Sequence, residues 1–115
     1  MTTWDYPDEL DATVAAPNSH RVLLENDQVR VLEVTLEPGA HEPEHTHRWP
    51  SVMITDQPVR IRYFTGPELT YETPDPMPDG PVPRTSWLAP EGPHSVHNLD
   101  QTKPMHAFRI EFKQA

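Results

Sequence analysis

Apolar residues in this chain recur at every second position in short runs, with Pro, Gly, Asn and Asp between the runs, and this pattern predicts strands. The clearest run is Met105 to Lys113. There His106, Phe108, Ile110 and Phe112 share one parity, and Ala107, Arg109, Glu111 and Lys113 share the other. The first set is expected to face the interior. Val59 to Tyr63 alternates apolar and basic residues. With the apolar face inward, Arg60 and Arg62 stand in solvent; a flipped strand would put them at a pocket mouth. His20 to Glu25 leads through the turn Asn26-Asp27 into a strand over Gln28 to Leu36, which ends at Pro38-Gly39. Ser51 to Thr55, a brief Leu69 to Tyr71, Ser86 to Ala89 and His94 to Asn98 complete the set.

No stretch shows a 3.6-residue period. Residues 73–83 hold five prolines and one glycine, and proline lacks the N–H that a central strand needs, so this stretch is expected to be a surface loop. Residues 1–19 are acidic and polar and read as an arm or loose edge element. Short strands with turn signals between them predict an all-β antiparallel sandwich or barrel. The length, 115 residues, suits one domain over 1–115.

Composition narrows the chemistry. The net charge of −9, from 18 acidic and 9 basic residues, disfavours nucleic acid and anionic membranes as partners. The absence of cysteine excludes disulfides and thiolate ligands. No apolar run approaches the length of a membrane span. The N-terminus lacks the basic start and apolar stretch of a secretion signal, so the cytoplasm is the expected location.

Seven histidines are the conspicuous feature. In a strand, His45 and His47 point to the same face, where two imidazoles can converge on one metal ion, and Thr46 points away. A third ligand must come from another strand, and His94, after the turn Pro90-Glu-Gly-Pro93, is the best placed. His41 is a candidate fourth ligand, though Pro43 interrupts the strand between it and the pair. His97 has the opposite parity to His94 and is expected outside. His106 is expected inside, either as a core histidine or as the acid–base group of a pocket. Trp49 is expected either to wall the pocket or to pack at a subunit interface. Asn98 reads as a turn former.

Gly39, five residues, then His45-Thr46-His47 resembles the first sequence motif of the cupins. Pro90-Glu-Gly92-Pro-His94-Ser-Val-His-Asn98 resembles the second, with one residue fewer between Gly and His. The resemblance covers roughly residues 28–112 and is to small stand-alone cupins. It implies a cupin-type double-stranded β-helix, a jelly-roll-like antiparallel β-barrel of two packed sheets. It also implies His45, His47 and His94 as ligands of one divalent transition metal. The family's first motif usually carries a Glu separated from its second His by three or four residues. Here those positions are Ser51 and Val52, so a site of three neutral histidines without a carboxylate is expected.

Three-histidine sites are found among cupin dioxygenases that cleave thiols and diketones. The expected function is therefore metal binding, with dioxygenase action on a small organic acid or carbonyl compound. The alternatives are a non-catalytic binding cupin, a zinc-dependent hydrolase or isomerase, and a purely structural metal that staples a lean core. Imidazole ligands suit Fe, Zn, Ni or Cu and not Mg or Ca. A homodimer is expected as well, because open sheet edges need cover and small cupins are similar in pairing through edge strands and an N-terminal segment.

Overall fold

A computed structural model describes residues 4–113. The strands are β1 (His20–Glu25), β2 (Val29–Leu36), β3 (His45–His47), β4 (Ser51–Gln57), β5 (Ile61–Thr65), β6 (Glu68–Glu72), β7 (Arg84–Leu88), β8 (Glu91–Asn98) and β9 (Met105–Phe112). They form two sheets, one ordered β1-β2-β9-β4-β7 and the other β3-β8-β5-β6. All strand pairings within them are antiparallel.

The predicted strands are all present, and residues 73–83 lie outside them. Gly39 closes the turn after β2 at φ 72°, a left-handed conformation that only glycine adopts freely. There its N–H donates to the Asp100 carbonyl.

The inner face of the five-stranded sheet is graded along its strands. Leu36 pairs with Met105, Val34 with Ala107, Leu32 with Arg109 and Arg30 with Glu111. All eight are buried. The apolar half, with Val59 from the other side, forms the core, and Met53, Ile61 and Val96 pack against it. The other half is charged, and its charges are paired: Arg30 bonds Glu111 and Asp11, and Arg109 bonds Glu91. Ion pairing is what allows charged groups to be buried at all.

This grading reverses the parity expected for β9. Ala107, Arg109 and Glu111 face the interior, while His106, Phe108, Ile110 and Phe112 lie on the outer face, half-buried. Cross-strand neighbours shelter them there: Phe108 sits between Glu33 and Ile54, and Ile110 between Val31 and Val52.

The N-terminal segment is a docked element rather than a loose one. A 3-10 turn (Asp8–Leu10) leads into a one-turn helix α1 (Ala12–Ala15). Such a helix is too short to show a period in the sequence. Asp11 caps it by accepting from the Thr13 N–H, pairs with Arg30 and bridges to Thr46. Ala12 and Ala16 are buried. No helix among the described residues is long and apolar enough to cross a membrane.

Candidate metal centre

The shortest strand carries the site. On β3, His45 lies opposite His94 of β8, and His47 lies opposite Glu91. Two steps along β3 therefore face three steps along β8, a β-bulge. Its consequence is that Glu91 and His94 both turn toward the interior, although three residues apart they have opposite strand parity. Thr46 points the other way, as expected, and is buried beneath Asp11.

A fourth histidine completes the cluster from the facing sheet. His20 opens β1 and pairs with Val34. Its ring centroid is 4.6 Å from that of His45 and 5.2 Å from that of His47. The His45 ring is 4.4 Å from His94 and 5.1 Å from His47. Candidate donor atoms of His20, His45 and His47 lie within 4.8 Å of one another, and so do those of His47, Glu91 and His94.

All four rings spend the same nitrogen on an acceptor. Nδ1 of His45 donates to the Pro43 carbonyl at 2.8 Å, and Nδ1 of His94 to the Gly92 carbonyl at 2.8 Å. Nδ1 of His20 donates to the Ala16 carbonyl at 3.1 Å. Nδ1 of His47 donates to the Glu111 carboxylate at 2.8 Å. These partners fix the tautomer by chemistry, because a carbonyl or carboxylate can only accept. Each Nε2 is left with its lone pair, which is how metal-ligating histidines are oriented. Nε2 of His45 is buried and has no hydrogen-bond partner among the described residues. A divalent transition metal fits this donor set.

The electrostatics agree. Burial lowers the pKa of His45 to about 3, helped by His94 and His20, and that of His20 to about 4. Burial also holds His47 well below its ordinary value, and lowers His94 against the pull of Glu91. All four rings are thus neutral donors at neutral pH.

Two carboxylates border them. Glu42 is 3.7 Å from His45 Nε2, accepts from the Ser19 hydroxyl, and is pushed up to about 7 by burial. Glu91 is 3.6 Å from His94 Nε2 and accepts from the Tyr63 hydroxyl at 2.6 Å. Burial alone would raise Glu91, but the Arg109 guanidinium and His94 hold it below the ordinary glutamate value.

The cluster forms one end of a cavity of about 290 Å³ between the sheets. Its walls are mainly apolar and include Val34, Met53, Val59, Ile61 and Val96, with Tyr63, Arg84 and Arg109 as polar lining.

The rings of His45, His47 and His94 come together, with centroids 4.4 to 5.5 Å apart, though their donor atoms fall into two groups that share His47; Met53 and Ile61 line the cavity. His106 does not. It sits on the outer face of β9, bonded through Nε2 to Glu33 at 2.8 Å and through Nδ1 to Asp56, because the charged inner residues of β9 take the other parity. Phe108 is turned away with it. His41 is exposed, bonds Ser95 and stacks on Phe64, outside the cavity. His97 faces outward near the Gly39 carbonyl. Arg60 and Arg62 point to solvent and pair with Glu72. Trp49 does not line the cavity; Arg30, Arg48 and Lys113 surround its ring. Ser51 is buried, and no carboxylate stands at its position.

A carboxylate does stand beside the histidines, that of Glu91 inside the second motif, where the bulge hid it from a parity reading. Glu42 likewise escaped notice, having no motif of its own. Arg109 and Glu111 were missed through the β9 reversal. His20 has no local signal, since only the packing of β1 over β3 brings it in.

No protein-family model matches the sequence, and no curated protein matches it. Solved structures do. A cupin domain from Bordetella pertussis superposes with a TM-score of 0.67 at 21% identity, covering 82% of this chain and 91% of that one. An RmlC-like cupin with a double-stranded β-helix from Methanocaldococcus jannaschii gives 0.58 at 10% identity, covering 81% and 77%. The DMSP lyase DddQ from Ruegeria pomeroyi gives 0.52 at 15% identity, covering 77% of this chain and 40% of that one. The two sheets, their antiparallel strand order and these likenesses define the fold as that of a small cupin, a double-stranded β-helix. A candidate metal site of histidine and glutamate lies in its barrel.

Proposed function

We propose that this protein is a metal-dependent enzyme acting on a small organic acid or carbonyl compound, with His45, His47 and His94 binding the metal through Nε2, and that with iron it is a dioxygenase. The observation that carries the metal reading is the shared use of Nδ1 by buried neutral rings, which leaves their Nε2 atoms without hydrogen bonds among the described residues, that of His45 fully buried. A bound transition ion supplies Lewis acidity and open coordination positions. The chain's own residues do the rest. Glu111 and the Pro43 and Gly92 carbonyls orient the rings. The apolar walls limit water in the cavity. His20 and Glu91 stand within reach as further donors.

A second reading, zinc-dependent hydrolase or lyase chemistry, is favoured by the Tyr63–Glu91 hydrogen bond, which puts an exchangeable proton beside the donors. One cupin of similar fold is named a DMSP lyase.

Protein purified without chelators is expected to carry about one equivalent of transition metal per chain. His45→Ala or His94→Ala should lower that content sharply, and His97→Ala should not. Full retention in both ligand variants overturns the assignment. Oxygen uptake with Fe(II), tested on thiol carboxylates and β-diketones, supports the oxygenase; turnover of esters with Zn supports the second reading. Ligand binding without turnover in either form leaves a binding module.

A further inference from the structure

The metal cluster occupies one end of the cavity, and a second cationic group stands toward the other. Arg84 opens β7, the outermost strand of the five-stranded sheet, opposite Thr55, which in turn lies opposite Ala107. The neighbouring inward row is Ser86, Met53 and Arg109, and Arg109 bonds Glu91. The row of Arg84 continues through Ala107 and Val34 to His20 of the metal cluster, so the two residues stand at opposite edges of one inner face, four strand spacings or roughly 19 Å apart along the sheet.

Arg84 is held in place and only partly used. One terminal nitrogen donates to the Pro78 carbonyl at 2.9 Å, and the guanidinium rests against Gly80, where a Cβ would sit 3.7 Å from it. The proline-rich loop thus fixes the side chain. Its Nε is buried and has no hydrogen-bond partner among the described residues. Among those residues Arg84 also forms no ion pair, whereas Arg109, whose Nε likewise has no hydrogen-bond partner, is paired with Glu91. A buried guanidinium N–H left without an acceptor is a site for an anion, and a guanidinium fork matches a carboxylate best. Between the two ends the wall is apolar, formed by Met53, Val59, Ile61 and Val96. Water takes about 30 Å³ per molecule in the liquid, so 290 Å³ holds roughly ten non-hydrogen atoms.

We propose that Arg84 anchors a carboxylate at the far end of the ligand, so that the site takes small linear dicarboxylates. One carboxylate sits at the metal centre, the other on Arg84, and the methylene chain runs along the apolar wall. This rests on the metal reading above.

The test is calorimetric titration of the metal-loaded protein with succinate, glutarate and adipate. Pentanoate and the half-amide of glutarate serve as matched ligands lacking the second charge. The best diacid is expected to bind at least tenfold tighter than pentanoate and the half-amide. Arg84→Gln should reduce it to the monoacid level and leave pentanoate unchanged, while Arg84→Lys should retain part of the difference. Melting curves of both variants check folding, and elemental analysis of the same samples checks the metal. Diacids that bind no tighter than pentanoate, or equally well to Arg84→Gln, overturn the proposal even with metal fully retained. So does the absence of binding by any acid. Absence of metal from wild type and variants alike is the separate failure of the metal reading; the Arg84→Gln comparison on that protein still decides the part played by Arg84.

Discussion

Two buried polar residues show how differently one side chain can serve this fold. Asn98 spreads its two amide protons over the carbonyls of Leu36, Glu37 and Lys103, at 3.0, 3.2 and 2.9 Å. Its own oxygen accepts from the Asp100 N–H. It ties the ends of β2, β8 and the loop before β9 together and touches no histidine ligand. Asn98→Ala should cost about 3 kcal/mol in chemical denaturation, because it leaves buried carbonyls unpaired, yet the metal content of the folded fraction should not change. Glu111 accepts from His47 Nδ1 and from Arg30, with burial raising its pKa against the pull of Arg30. Glu111→Gln keeps the volume and loses the charge that orients the His47 ring. Metal affinity, read by competition with a chelator, should fall about tenfold to a hundredfold. Unchanged affinity would remove Glu111 from the ligand-orienting set.

At the scale of the element, β9 is the instructive case. Its ends and its alternation are plain in the sequence, because proline and polar turns bracket an unbroken period of two. Which parity faces inward is not, because the usual inference equates apolar with interior. Here the interior at the site end is built from Arg30, Arg109 and Glu111, whose pairing partners Asp11 and Glu91 lie far away in the chain. The pair His45 and His47 was legible for the same reason β9 was bounded, while His20 and Glu91 depend on sheet packing and on a bulge. The reversal gives His106 a different task. Hydrogen bonds to Glu33 and Asp56 raise its pKa above the ordinary 6.5. A raised value in the folded state means that this contact stabilises fully below the unfolded value and fades as pH climbs through the folded one. His106→Gln should therefore lower the melting temperature at about pH 6 and have little effect at about pH 9. An equal loss at both would show the contact to be insensitive to charge.

For the whole molecule, the outer face of the five-stranded sheet is the surface that needs explaining. Val31, Val52, Ile54, Phe108, Ile110 and Phe112 line it half-buried, with Leu24 and Trp87 exposed by 51% and 63%. The pairs Arg21–Glu33 and Lys113–Glu25 lie on β1, β2 and the end of β9 beside it, so charges of both signs border the apolar strip. We propose that a second copy covers this face, since a two-fold axis sets such opposite charges against one another. Sedimentation at micromolar concentration should show a dimer, and Trp87→Glu should shift it to monomer; a monomeric wild type would count against the pairing. The N-terminal segment is already committed within its own chain, to Arg30 and Thr46.

The origin of the four histidines has one more consequence. His20 comes from one sheet, and His45, His47 and His94 come from the other. An ion gripped by both would act as a rivet through the sandwich. Opening the sheets would then require releasing the ion, so loading should suppress local breathing at two places distant in sequence. Deuterium uptake at the amides of His20–Glu25 and of His45–His47 should slow together when metal is added. Slowing at His45–His47 alone would show that His20 stands beside the ion without holding it. In this way the rate at which the backbone trades hydrogen for deuterium becomes a gauge of whether the barrel is clasped.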